Sequence, residues 1–392
     1  MTRATRLEFL WQVASAAALM NGAFPKSMGA ASFSAASQRG RFAQWIVRNQ
    51  ISESGLCRYF RFGPHEHEES PLATAYTILL FNESEPEIAD RLADGLIRLQ
   101  ERYATNRHVG GGVPSIANDS SQLFYSSDAL AAIKALVAAY RRSGNAAHLR
   151  AAGGFAEFVE RMCDGERGGF LVENLGFPMQ YAAPDGAIQN WLVPNVAMLF
   201  WDALDDYARA SGSLSIARLF ERGRTFVLRS VQAPNGAYYD HYEPGFPARG
   251  YSERRWRWFK IEADGRRVAI GDNMMMSALG AQRLGDNGAV DRFLAWTKPR
   301  DGAFYAYIDV DTGGSGFQAG DTPYFDVVCS GMYRELLARS GRLTSADQAA
   351  FERVFALSSG ADGGYRWGLK GNGGWVQGSA EALVTGYWVS LA

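Results

Sequence analysis

Apolar residues recur at helical spacing through most of the chain, and the helices this predicts alternate between two kinds. One kind carries its apolar residues on a single stripe. The segment 86–103 is of this kind, with Arg91, Asp94, Arg98 and Glu101 on its polar side. The other kind is apolar nearly all round, as from Ala129 to Ala139 or from Val193 to Trp201, and a helix without a polar face belongs inside. The spacing predicts outer-type helices over 37–50, 86–103, 146–163, 213–231, 289–297 and 345–357. Each is followed by an inner-type helix: 71–81, 126–142, 190–210, 272–284, 322–340 and 378–391.

Between the members of each pair stands a glycine turn followed by a bulky apolar residue. The six copies are Ser54-Gly55-Leu56, Gly111-Gly112-Val113, Gly168-Gly169-Phe170, Gly236-Ala237-Tyr238, Gly302-Ala303-Phe304 and Gly363-Gly364-Tyr365, at steps of 57, 57, 68, 66 and 61 residues. A recurring step on this scale marks a repeat architecture. Six hairpins, each with one buried and one amphipathic member, close as two concentric rings. The expected fold is therefore an all-α (α/α)6 toroid over residues 36–392, with short β-hairpins in its loops. Connections from an inner helix to the next outer one are short, and those from outer to inner are long. The long loops thus gather on one face, where function tends to reside.

This layout resembles the α/α-toroid enzymes over the whole chain after about residue 36. Two branches share it. One holds the carbohydrate-active barrels: glycoside hydrolases, polysaccharide lyases and sugar epimerases. The other holds terpene cyclase and prenyltransferase-type barrels. The resemblance is architectural and implies a fold before it implies a reaction. No single family's catalytic motif is intact, and the sequence has no P-loop, dinucleotide fingerprint, GxSxG elbow or HExxH.

Charge narrows the partners. The 40 basic and 41 acidic residues are interspersed, giving a net charge of -1. Without a basic stripe, a dominant nucleic-acid surface is excluded. Cys57, Cys163 and Cys329 stand far apart and make neither a disulfide framework nor a zinc ribbon. No cofactor or metal is expected. Residues 1–35 have the layout of an export signal and linker: Arg3 and Arg6, an apolar run over 7–20, then small residues around Gly29-Ala30-Ala31. The run is like a twin-arginine signal with Thr5 in place of one arginine, and it is too short to span a bilayer. It predicts a periplasmic or secreted protein; an amphipathic first helix in a cytoplasmic protein is the alternative.

The inner-helix starts and the loops before them carry the chemistry. Loop one holds His65, Glu66 and His67. Loop two holds Asp119 and Tyr125, with Asp128 opening the helix. Loop three holds Trp191 among Gln and Asn. Loop four holds Tyr239, His241, Arg254, Arg255, Trp256 and Arg257, then Asp272. Loop five holds Asp309-Val310-Asp311-Thr312, then Asp321, Tyr324 and Asp326. Loop six holds Trp367 and Trp375, then Glu381 on an apolar segment.

Carboxylates beside aromatic rings suit a sugar, whose hydroxyls take hydrogen bonds and whose apolar face stacks. The leading expectation is an exported glycoside hydrolase with catalytic acids drawn from Glu66, Asp128, Asp272, Asp326 and Glu381. Tyr125, Trp191, Arg254, Trp256, Tyr324, Trp367 and Trp375 would bind the substrate. A lyase or uronate epimerase would instead use Tyr239, His241 and an arginine. Asp309-Val310-Asp311 is similar to the aspartate-rich motif of class II terpene cyclases, but Gly313 replaces a further acid and the stretch reads better as a hairpin turn. A non-catalytic glycan-binding toroid is the remaining alternative.

Overall fold

A computed structural model describes residues 35–61, 66–118, 122–163, 166–167, 170–171, 176–189, 191–243, 256–317, 323–370 and 381–391. Thirteen helices appear among them. In chain order they are α1 (Ala35–Asn49), α2 (Pro71–Phe81), α3 (Pro86–Glu101), α4 (Ser126–Ser143), α5 (Ala146–Met162), α6 (Asn195–Leu199), α7 (Ala203–Ser211), α8 (Leu214–Ser230), α9 (Gly271–Arg283), α10 (Asn287–Trp296), α11 (Val327–Arg339), α12 (Ser345–Ser358) and α13 (Leu383–Ser390).

Six rods form the inner ring: α2, α4, the α6–α7 pair, α9, α11 and α13. Each packs against the next, and α13 returns to α2, so the ring closes. The amphipathic helices lie outside. The long loops all enter the inner rods at their N-terminal ends, as expected.

The glycine turns have a tertiary cause. At Gly111 φ is +83°, and an added Cβ would sit 2.2 Å from the carbonyl oxygen of Gly154 on α5, the outer helix of the next repeat. Gly363 makes the closing version, its Cβ position 2.7 Å from the Arg41 oxygen on α1. Gly55, Gly236 and Gly302 dock on α3, α10 and α12 in the same way. Only a residue without Cβ fits both the φ and the approach. The bulky residue just after each of these five turns is buried.

The glycines of the third expected copy, Gly168-Gly169-Phe170, lie outside the described residues. Gly176 has φ +74° and its oxygen lies against Gly223 on α8, and Phe177 is the buried residue that follows. Gly176-Phe177 thus makes the corresponding contact on α8, and counted from it the steps are 57, 64, 61, 66 and 61 residues.

Three inner rods differ from the pattern. The third breaks at Phe200–Asp202: Arg283 takes the Leu199 carbonyl (2.9 Å), and Lys134 binds Asp202 (2.7 Å) and Asp206 (2.5 Å) across the gap. The fifth begins at Val327, because Tyr324–Asp326 forms a strand. The sixth begins at Leu383, so Glu381 precedes its helix and forms a bridge with Arg366.

The ring is not a channel. Tyr76 of α2 meets Phe200 of the third rod across the axis at 5.4 Å, and Tyr387 of α13 lies 4.6 Å from Tyr76. The Arg283 guanidinium sits 5.6 Å over the Phe200 ring. These residues pack together inside the ring.

Candidate active site

The hairpins of loops four to six build the best-defined part of that face. Strands β1 (Lys260–Ile261), β2 (Arg267–Ile270) and β4 (Tyr307–Asp309) make one sheet, with β2 central. Strands β3 (Phe304–Tyr305), β5 (Tyr324–Asp326) and β6 (Gly368–Lys370) make another, with β5 central. Ala306, the one residue between β3 and β4, joins them. Its carbonyl accepts from the Gly271 N–H (2.9 Å), and its N–H donates to the Tyr324 carbonyl (3.3 Å). Gly271 allows this approach, since a Cβ there would lie 2.3 Å from the Tyr305 oxygen. The stitch brings Asp272, in the first turn of α9, within electrostatic reach of Asp326, which ends β5 and caps α11.

Asp326 uses one oxygen as the cap: Oδ1 accepts from the N–H groups of Val328 (2.8 Å) and Cys329 (3.3 Å). Burial, then the Asp272 charge, push its carboxyl up to about 7, against the lowering by those two N–H groups. Adjacent carboxylates that do not both ionise share one proton. Tyr324, two residues earlier, is nearly buried, and its phenol is raised by burial and by Tyr307. Tyr307, Phe317 and Trp367 pack around Tyr324 in a cluster separate from the main core.

Asn273, next to Asp272, points the other way. Its amide donates to Asp240 Oδ1 (2.7 Å) and accepts from Asn195 (3.1 Å). Asp240 is buried, and its Oδ2 lies 3.0 Å from His241 Nδ1. A carboxylate only accepts, so Nδ1 carries the hydrogen. The Trp191 ring stacks on the imidazole at 4.7 Å with an interplanar angle of 20°. His241 Nε2 lies 3.5 Å from Glu243, which pairs with Arg257. One helix start, 271–273, thus joins a carboxylate pair to an Asp–His pair.

Most of the other expected site residues lie elsewhere. Glu66 pairs with the exposed His67 at 3.1 Å, next to a segment outside the described residues. Asp128 is fully buried in the first turn of α4, where Ser127 Oγ is 3.3 Å away. Glu381 is buried against the outer ring, accepting from Trp45 Nε1 (3.1 Å) beside Arg61 (3.5 Å). Tyr125 is buried against Tyr181, while Trp256 is buried between Tyr239, Tyr242 and Phe226. Trp367 is half-buried, 6.3 Å from Tyr324. Arg254 and Trp375 lie outside the described residues, as do His65, Asp119, Arg255 and Asp321. The Asp309-Val310-Asp311 stretch is a turn: Asp309 Oδ1 accepts from the N–H groups of Asp311 and Thr312, and Asp311 pairs with Arg267.

Sequence reasoning missed Asp240, Asn273 and Tyr307. Their only signal was position: Asp240 adjoins His241, Asn273 adjoins Asp272, and Tyr307 lies on a hairpin strand. Among the described residues no group of three or more His, Cys, Asp or Glu side chains is placed to hold a metal ion. A groove of about 420 Å³ lies between the outer helices α3 and α5, lined by Glu101, Arg107, Glu157 and Arg161 among others. It is remote from the inner-helix starts and adds nothing to this site.

No family model matches the sequence, and no curated protein matches it. Solved structures do. An alpha-amylase from Clostridium perfringens superposes with a TM-score of 0.63 at 13% identity, covering 91% of this chain and 96% of its own. Cellobiose 2-epimerase from Bacillus thermoamylovorans B4167 gives 0.64 at 10% identity, covering 91% and 98%. An unsaturated glucuronyl hydrolase from Bacillus sp. GL1 gives 0.61 at 14% identity, covering 91% and 94%. The fold is thus the (α/α)6 toroid of these carbohydrate-active enzymes.

Proposed function

We propose that this chain is a glycoside hydrolase. The observation that carries the reading is the Asp272–Asp326 pair, in which burial and the neighbouring charge hold the proton on Asp326 to about pH 7. A hydrolase needs one protonated and one ionised carboxyl across the scissile bond. Asp326 gives its proton to the glycosidic oxygen as the bond to the anomeric carbon breaks. Asp272 supplies the negative charge at that carbon, attacking it or drawing a proton from the attacking water. The aromatic cluster beside the pair suits a pyranose face. The toroids of similar fold include hydrolases acting on glycans. The test is incubation with a panel of neutral and uronic polysaccharides, read by new reducing ends. Their absence with every polymer removes the reading.

One observation favours a second reading, a sugar epimerase or isomerase: the Asp240–His241 pair under Trp191. A fixed imidazole can move a proton at the carbon next to a carbonyl. Deuterium entering C2 of a reducing sugar in heavy water, and lost in His241→Gln, would distinguish it. The opening segment extends the proposal to an exported enzyme, tested by cell fractionation.

A further inference from the structure

The rings near the carboxylate pair form a row. Phe259 stacks on Tyr307 at 5.9 Å, Tyr307 lies 5.9 Å from Tyr324, and Tyr324 lies 6.3 Å from Trp367. Trp367 packs in turn on Phe60 and Tyr59, whose rings are 4.4 Å apart. The row continues through the closing point of the ring, where Phe60 forms a bridge with Ala382. Four of its six members (Phe259, Tyr307, Trp367 and Tyr59) are half-buried, and two small clusters joined at Trp367 hold the middle of it. Core packing does not require rings there. A half-buried ring keeps apolar surface for a ligand.

Two further features decide what the row takes. The first is where the carboxylates stand. Tyr324 is the member that feels both Asp326 and Asp272, and it sits inside the row with rings on both sides. The second is charge. Among the described residues, three cations near the row are matched within the chain: Lys260 with Glu262 (2.5 Å), Arg267 with Asp311, and Arg61 with Asp362 and Glu381; Lys370, opposite Tyr324 in the strand register, has no carboxylate partner among them. A matched cation gives an anionic sugar little, and the Asp272 charge opposes one.

Resting on the hydrolase reading, we propose that the substrate is a neutral oligosaccharide or polysaccharide lying along this row on both sides of the scissile bond. The enzyme then cuts inside a chain and does not trim single units from an end.

The experiment has two arms. In the first, Asp326→Asn protein is titrated calorimetrically with malto-, cello- and oligogalacturonate ladders from disaccharide to hexasaccharide. Affinity for one neutral ladder should rise roughly tenfold or more along the ladder. Trp367→Ala should flatten the rise, and Phe259→Ala, at the end of the row, serves if that variant does not fold. Equal affinity at every length, or tightest binding of the uronic ladder, overturns the proposal. In the second arm, wild-type products of the bound polymer are resolved by size. Early internal fragments support internal cleavage, and terminal single units alone overturn it. Length-dependent binding without cleavage supports the row and removes the hydrolase reading. Cleavage with length-independent binding does the reverse.

Discussion

Asp326 and Glu381 stand just before consecutive inner rods, α11 and α13, and both are acids in largely apolar surroundings. Their neighbours make them opposites. Glu381 accepts from the Trp45 indole and lies beside Arg61, with Gly360 and Gly364 so close that a Cβ on either would fall 2.4 or 2.5 Å from its oxygens. It fastens the first repeat to the last, its charge answered by a cation. Asp326 resists ionising, first because it is buried and then because its charged neighbour is a second carboxylate, Asp272. A buried charge with a built-in partner serves the fold, whereas a buried acid that feels a second acid is a cost the fold alone does not explain.

The largest expected effect breaks the comparison on the reactive side. Asp326→Asn keeps a side-chain oxygen for the α11 cap but cannot give a proton. Its rate of reducing-end release should fall by about a hundred- to ten-thousand-fold, with no loss of stability in urea unfolding. Asp272→Asn should lose a comparable factor. If either retains full activity, the pair is not the catalytic apparatus.

The next effect lies on the structural side. Glu381→Ala leaves the Trp45 N–H without its acceptor and Arg61 without one of its carboxylates. Unfolding free energy should fall by about 2–3 kcal/mol, while kcat of the folded protein changes little. Glu381→Gln, which keeps an acceptor for Trp45, should recover about half of that loss. A collapse of kcat at unchanged stability would exchange the roles assigned to the two acids.

This contrast also marks what could be read from the residues alone. The alternation of helix kinds and the glycine turns sufficed for the ring, because both are local consequences of burial and close approach. The Gly176-Phe177 contact on α8 went unread for a related reason: the surface at Gly223 that it meets is a tertiary feature. Asp272, Asp326 and Glu381 were each visible as acids near helix starts. That two of them influence each other depends on the Ala306 stitch between two sheets, which no local pattern encodes. His241 was visible, but its pairing with Asp240 was hidden for another reason: neighbours on a strand point to opposite faces, and the two meet only because Asp240 lies in the bend before strand Trp256–Arg257's partner, His241–Tyr242.

A smaller effect, in pH, sharpens the comparison. The Asp326 carboxyl is raised in the folded state, so the folded protein binds the proton more tightly than the unfolded chain. Stability is then unaffected by this group below its unfolded value near pH 4, falls as pH rises toward about 7, and levels off above. Asp326→Asn should remove that slope. In wild type, activity should decline above about pH 7 as the acid loses its proton. A profile flat through that range would place the proton donor elsewhere.

The smallest expected effect concerns an acid that belongs to neither class. Asp311 lies in an exposed turn, paired with Arg267 and with its own N–H bonded to Asp309. Both side chains are well solvated, so the pair should contribute about 0.5 kcal/mol or less. Arg267 also lies over the Trp258 ring at 5.5 Å and would keep that contact without its acid. Asp311→Ala should therefore leave activity intact and shift the melting temperature by no more than a degree or two. A cyclase-like motif would predict the opposite, since there an acid of this stretch protonates the substrate. Loss of activity in this variant, with Asp326→Asn still active, would move the chemistry from the coupled pair to the turn and undo the contrast with Glu381.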